Sequence, residues 1–433
     1  MKQEVKNRGW QVVMAGTGIN LALGVLYAWS IFKGAIKASI EQGGEGAFAW
    51  DLASINDPYA LCCLTFAFAM ILAGKAQDKL GPARTALFGG LLVGAGFLLM
   101  SISNSYGAWV VGFGILAGAG FGFGYAASTP PALKWFPSSR TGLVAGIVVA
   151  GFGLAPVYIA PLSSWLLGVF GIQKSMLCLA AGFAVVVCSL SFLLKNPPKG
   201  YVPEEPAHAA VDKPKAAKSV VNATVSDIIR TPRFYLLWMA FFIGSGAGLM
   251  VIGSVAGLAK KSLGPMAFVA VAIMALGNAG GRVIAGILSD RIGRKATLMI
   301  MMAFQSILMF AAIPVVGSGS ALMLVLLATF IGFNYGSNLC LFPSFAKDFW
   351  GLKNYGMNYG ILFTAWGVGG LVMGRISEML NTQPGGLNKS FILAGVCLAV
   401  GMVLAFFVRE KEPVTVVEPV FAPEAVPVME KGN

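Results

Sequence analysis

Charge is scarce in this chain: Asp, Glu, Lys and Arg make up 11% of its 433 residues, less than half the share of about 25% usual in soluble domains. Histidine is nearly missing. The single one, His208, lies in a polar stretch rich in Pro, Ala and Lys and reads as a solvated loop residue. The six cysteines, Cys62, Cys63, Cys178, Cys188, Cys340 and Cys397, all fall in apolar runs, with no CxxC spacing and no Cys/His cluster. This pattern argues against a metal site and against a disulfide framework. A membrane-embedded enzyme would need a nucleophile–base set, a metal cluster or paired acids at depth. None is present, so neither catalysis nor a cofactor is expected. Glycine clusters such as Gly118-Ala119-Gly120-Phe121-Gly122 follow no strand and lack nucleotide-loop spacing. Strand-type alternation is missing too, which excludes a β-barrel.

What the chain has instead is apolar length. Hydrophobic residues make up 57% and glycines number 56, as expected where helices pack closely in a bilayer. A span needs about 20 predominantly apolar residues. Twelve such stretches lie near 11–32, 52–73, 82–103, 107–127, 142–168, 171–194, 234–258, 265–288, 296–315, 319–342, 356–377 and 390–408. The first begins near Trp10 and runs past Trp29, too long for the apolar region of a removable signal, so it reads as a span. One link differs from the rest. Lys195 to Arg233 is polar and carries Pro197, Pro198, Pro203, Pro206 and Pro214. The expected fold is therefore an all-α membrane protein of twelve helices. Residues 1–194 form one six-helix bundle, 195–233 a cytoplasmic linker, 234–408 a second bundle and 409–433 a disordered tail.

The basic residues orient it. With the N-terminus inside, 23 of the 31 Lys and Arg fall in cytoplasmic segments, while the outer side holds Lys33, Lys37, Lys174, Lys260, Lys261, Arg375 and Lys389. This positive-inside bias places both termini in the cytoplasm and the chain in the cell inner (plasma) membrane. The net charge of +13 then needs no nucleic-acid partner.

The two halves repeat. Gly122-Phe123-Gly124-Tyr125 returns as Gly332-Phe333-Asn334-Tyr335, and Gly142, Gly146 and Gly153 correspond to Gly356, Gly360 and Gly367. Internal similarity of this kind marks transporters whose site lies at the repeat interface. After span eight the chain reads Gly286-Ile287-Leu288-Ser289-Asp290-Arg291-Ile292-Gly293-Arg294-Lys295, and a weaker copy after span two runs from Gly74 through Asp78, Lys79 and Gly81 to Arg84. Glycine permits a tight turn between helices. The aspartates can cap or pair at a helix end, and the basic residues hold the loop to an anionic leaflet. The first copy resembles, nearly residue for residue, the G-x-L-a-D-r-x-G-r-k loop motif of the major facilitator superfamily. That resemblance implies that Gly74, Asp78, Arg84, Gly286, Asp290, Arg291, Gly293 and Arg294 form a conformational motif that latches the outward-open state.

Further stretches narrow the resemblance. They are Gly24-Val25-Leu26-Tyr27-Ala28-Trp29-Ser30, Lys134-Trp135-Phe136-Pro137, Arg140-Thr141-Gly142, Ala150-Gly151-Phe152-Gly153-Leu154-Ala155-Pro156, Arg230-Thr231-Pro232-Arg233-Phe234, Leu341-Phe342-Pro343 and Asn358-Tyr359-Gly360. Together they look like the monocarboxylate transporter family, most closely its prokaryotic oxalate/formate antiporter branch, from Gly24 to about Gly370.

Arg282 stands alone as a charge within span eight. A charge at membrane depth faces a cavity or a partner, unless its long stem snorkels to the interface. The guanidinium fork suits a carboxylate. Asn278, one turn earlier, can add a polar contact, and Gly277, Gly280 and Gly281 leave room around the pair. The resemblance implies that Arg282 binds the substrate carboxylate. It also shows departures. Asn278 stands where eukaryotic carriers have a proton-coupling aspartate, Ile31 where they have a lysine, and Trp366 where the oxalate/formate antiporter has a second buried lysine. One buried cation in place of two suits a monoanion over a dianion. Tyr27, Tyr125, Tyr335, Asn358, Tyr359 and Phe363 complete the candidate substrate site, with Phe363 and Trp366 as an apolar wall. For Tyr125 and Tyr335 a ligand role stands beside a plain packing role. Asn334 and Asn338 are weaker candidates.

For the proton, Asp57 is the acidic residue most clearly inside a span. Withdrawal from water favours the protonated form, while a helix-start carboxylate at the outer interface is an equal reading. Glu378 with Arg375 reads as a local ion pair. The expectation is a monomeric secondary transporter of a small monocarboxylate such as lactate or pyruvate, coupled to protons. Anion exchange and a non-transporting sensor are the alternatives.

Overall fold

The computed structural model describes residues 7–44, 46–198, 200–203, 222–263, 267–381 and 383–409. His208, most of the central linker and the tail beyond Arg409 lie outside the described residues. All regular structure among the described residues is helical. Among these residues eleven stretches are long and apolar enough to cross a membrane. One of them, Ser138–Ser191, has 54 residues, about 80 Å of helix against about 30 Å of hydrocarbon. It breaks at Gly171, with φ 72° and ψ 178°, and is two passes. The helices are α1 (Gly9–Gln42), α2 (Asp57–Leu80), α3 (Pro82–Ile102), α4 (Tyr106–Trp135), α5 (141–170), α6 (172–191), α7 (Pro232–Leu263), α8 (Ala267–Ile292), α9 (Arg294–Ser318), α10 (Ala321–Trp350), α11 (Tyr355–Asn381) and α12 (Gly386–Phe406). The twelve-helix, all-α expectation holds.

The two motif loops are turns that need glycine. Gly81 follows α2 with φ 85° and Gly293 precedes α9 with φ 93°, where a side chain would be strained. Pro82 then opens α3 at a position whose amide has no helical partner in any case.

Two helices are interrupted at mid-length. α1 tightens to a 3-10 stretch over Gly24–Ala28. α5 bends at Ala155–Pro156, because Pro156 has no amide hydrogen for the carbonyl of Phe152 four residues back. The breaks nest together. A Cβ on Gly24 would collide with Ala155 and the Phe152 carbonyl. The nesting sets the rings of Tyr27 and Phe152 edge to face at 5.3 Å.

The first six helices meet the last six along two seams, α2 with α11 and α5 with α8. Both are glycine crossings. A Cβ on Gly74 would strike the Gly356 backbone and one on Gly360 the Met70 carbonyl. In the other seam Gly142 abuts Gly286, and Gly146 abuts the Arg282 carbonyl. Counting four and eight residues back from each motif glycine reaches Met70 and Phe66 in one seam, Arg282 and Asn278 in the other. The repeat thus builds one apolar seam and one that carries a cation. The crossings at Gly74/Gly356 and Gly142/Gly286 lie at the end of the molecule where the described part of the linker sits, called the linker end below.

Candidate substrate site

Arg282 is fully buried, ten residues before the end of α8, about 15 Å of helix. Helical side chains lean toward their own N-terminus, and this one does: Nε donates to Oδ1 of Asn278 at 2.9 Å. One terminal nitrogen donates across the seam to the backbone carbonyl of Val149 in α5. The other is buried with no hydrogen-bond partner among the described residues. The side chain does not snorkel. An unsatisfied buried donor costs about 1–3 kcal/mol, more when charged, so this N–H group marks a place for an acceptor.

That place is a cavity lined by Tyr27, Phe66, Tyr125, Phe152, Arg282, Leu339, Phe363 and Trp366, with a volume of about 10 Å³, room for about one water molecule. A three-carbon acid fits only when the seams part. The wall is largely aromatic and closely stacked: Phe66 lies 5.3 Å from both Phe363 and Trp366, and Tyr125 lies 5.4 Å from Phe363. Arg282 is the one charged side chain among these lining residues.

The tyrosines divide into two kinds. Trp366 donates from its indole nitrogen to the Tyr335 hydroxyl at 2.8 Å, and that hydroxyl meets the Tyr27 hydroxyl at 3.0 Å. This chain of three crosses from the second half to the first. Trp366, expected as an apolar wall, is also a donor. The Tyr125 hydroxyl, by contrast, is buried with no hydrogen-bond partner among the described residues.

Other expected residues fall elsewhere. Asn278 spends its oxygen on Arg282 and so holds the guanidinium. Gly277 and Gly281 do not make room around the pair. They face the α10 backbone at Thr329 and Phe333, where a Cβ would clash. Tyr359 sits one turn from Phe363 toward the linker end, its hydroxyl buried and unpartnered. Asn358 is outside the cavity: with Asn354 it donates to the Ala223 carbonyl, at 2.9 and 3.1 Å, tying down the end of the linker. Asn334 and Asn338 donate to carbonyls of their own helix. Asp57 is the first residue of α2 and accepts the Tyr106 hydroxyl at 2.8 Å. It lies nine residues from Phe66, about 13 Å along the helix. Lys33 is exposed, and Arg375 pairs with Glu378 at 3.0 Å.

The sequence reading missed Phe66, Phe152, Leu339 and the Val149 carbonyl. The repeat contained the signal for Phe66, which occupies the position in α2 that Asn278 occupies in α8. Nothing in the sequence marks one backbone carbonyl over another.

At the linker end the motif aspartates cap the facing helices. Asp290 accepts the amides of Gly142 and Leu143 at 2.8 and 2.9 Å, and Asp78 those of Gly356 and Met357 at 3.1 and 3.0 Å. A carboxylate is favoured there by the free amides and the dipole of a helix start. Arg294 braces Asp290 at 2.6 Å and reaches Asp348 at 2.9 Å. Arg84 and Arg291 are exposed and take no part in these caps.

Two six-helix halves meeting on glycine seams, with aspartate caps at one end and a buried cation between them, have the architecture of a polytopic helical membrane transporter. The chain belongs to the Major Facilitator Superfamily, whose family model matches residues 12–374 and 266–430. It is 27% identical to the oxalate:formate antiporter of Oxalobacter formigenes, over 93% of this chain and 91% of that protein. It is 25% identical to monocarboxylate transporter 13 of Bos taurus, over 91% and 87%. Its fold resembles the crystal structure of the E. coli fucose:proton symporter FucP, with a TM-score of 0.64 at 15% identity, over 92% of this chain and 98% of that one.

Proposed function

We propose that this protein carries small monocarboxylates of the lactate and pyruvate class by alternating access. The observation behind the reading is the unpartnered terminal nitrogen of Arg282, the one cation in an otherwise uncharged, largely aromatic cavity. A carboxylate satisfies that donor and cancels the charge. The cavity offers one cation, so a dianion would enter with one charge uncompensated. Similarity to an oxalate:formate antiporter and to a monocarboxylate transporter supports the substrate class.

In this reading residues 1–194 and 234–408 move as two bodies, the linker end faces the cytoplasm, and the Asp78 and Asp290 caps hold it shut. One chain suffices, in the cell inner membrane. A proton taken up with the anion removes the charge barrier to crossing, and Asp57 is the proposed acceptor at the opposite end. Similarity to the antiporter also favours a second coupling mode, exchange of one anion for another. Uptake of labelled lactate, pyruvate, formate and oxalate into proteoliposomes tests both, with and without a pH gradient and with and without internal anion. No uptake of any monocarboxylate refutes the substrate class. Uptake that requires internal anion and ignores the gradient selects exchange.

A further inference from the structure

We propose that Gly153 is a positioning residue for the anion site: its missing side chain lets α5 close on the Asn278–Arg282 pair, so that the guanidinium is held by both halves at once. The inference rests on the reading of Arg282 as the substrate anchor.

A Cβ on Gly153 would lie 2.7 Å from Oδ1 of Asn278, 3.0 Å from Nε of Arg282 and 3.2 Å from its Cζ. These are the atoms of the hydrogen bond that orients the fork. One turn earlier on α5, the Val149 carbonyl receives a terminal nitrogen of the same guanidinium. Gly153 and Val149 are i and i−4 neighbours on one helix face. That face therefore makes two contacts with one side chain, a hydrogen bond at Val149 and a gap at Gly153. Filling the gap pushes either Asn278 or Arg282, and both are buried with little slack in a packed interior. The remaining free N–H then moves with the fork that lines the cavity.

The repeat supplies a control. Gly367 is the counterpart of Gly153 in the α2–α11 seam, where an added Cβ would meet the Ala67 side chain and, more loosely, the Cys63 carbonyl. That is a seam contact with no polar side chain of the site. Gly153→Ala and Gly367→Ala thus both crowd a seam, at 2.7 Å from Asn278 Oδ1 and at 2.3 Å from the Ala67 Cβ, but differ in what they push.

Two measurements separate positioning from packing. In proteoliposome uptake, Gly153→Ala is expected to raise KM for lactate or pyruvate by about tenfold, the scale of one charge-assisted hydrogen bond, with maximal rate changed less. Gly367→Ala is expected to slow turnover with KM unchanged. Adding Gly153→Ala to Asn278→Ala should raise KM less than adding it to the wild type, because the atom in closest conflict is gone. The second measurement needs no substrate: the rate at which phenylglyoxal modifies Arg282, read by mass spectrometry, should rise at least about threefold in Gly153→Ala as its bonds weaken, and stay at the wild-type rate in Gly367→Ala. Equal modification of Arg282 in wild type and Gly153→Ala overturns the proposal, as does an equal KM rise from Gly367→Ala. If the wild type takes up no monocarboxylate, the substrate reading fails while the modification rates still decide the role of Gly153.

Discussion

Asn278 and Arg282 form a hydrogen-bonded pair one turn apart on α8, 2.9 Å from Oδ1 to Nε, and this pair determines which part of the guanidinium is left for a ligand. Asn278 takes the inner nitrogen and Val149 takes one outer nitrogen from the opposite half. The second outer nitrogen is the donor left over. Each outer nitrogen carries two N–H groups, so the one bonded to Val149 keeps a second N–H for a carboxylate that bridges both.

A lysine cannot reproduce this sharing. Its ammonium is a point donor on a flexible stem, unable to reach Asn278, Val149 and the cavity together. Arg282→Lys is expected to cut monocarboxylate uptake by at least about tenfold, and Arg282→Ala further. Normal uptake by either variant, folded and inserted by size-exclusion profile, contradicts the anchor.

Valence follows from the count of cations. Monoanions should compete for uptake at least about tenfold better than oxalate, since a second buried charge without a partner costs more than about 1.4 kcal/mol. Trp366→Lys should narrow or reverse that ratio. It also removes the donor to Tyr335, so its maximal rate should fall. Inhibition curves in which oxalate matches pyruvate on the wild type would refute the assignment.

The caps at the linker end can be read at the amides they hold. Asp290→Asn removes the charge and one of two acceptors, and hydrogen exchange at Gly142 and Leu143 should quicken about tenfold. If the halves move as bodies, exchange at Gly356 and Met357 should quicken too, although Asp78 still faces them. Acceleration confined to α5 would mean local fraying and no shift between states.

Asp57 tests coupling. Asp57→Asn keeps the size and an acceptor for the Tyr106 hydroxyl but has no carboxyl group to take up or release a proton. Accumulation driven by an inward proton gradient should fall to near the equilibrium level while exchange of labelled for unlabelled substrate persists. Unchanged accumulation with unchanged pH dependence would remove Asp57 from the coupling route.

The all-α class, the twelve passes, the repeat and the motif loops were all legible in the sequence, because each rests on local physics. Apolar length, charge bias and glycine at a turn act within a few residues of one another. Arg282 was legible for the same reason, as a charge that hydrocarbon does not tolerate unpaired. The rest of the environment of Arg282 was not, since apart from Asn278 it is made by residues on other helices, Val149 being 133 positions away. Whether Asn278 faces a ligand or the arginine depends on how near α5 comes. Gly153 and the Val149 carbonyl decide that distance, and a backbone oxygen leaves no mark in a sequence. Asn358 shows the same limit: its position suggested the cavity, but the packing of α10, α11 and the linker turned its amide to Ala223. Side-chain chemistry named the candidates, and the closure of two glycine seams selected among them.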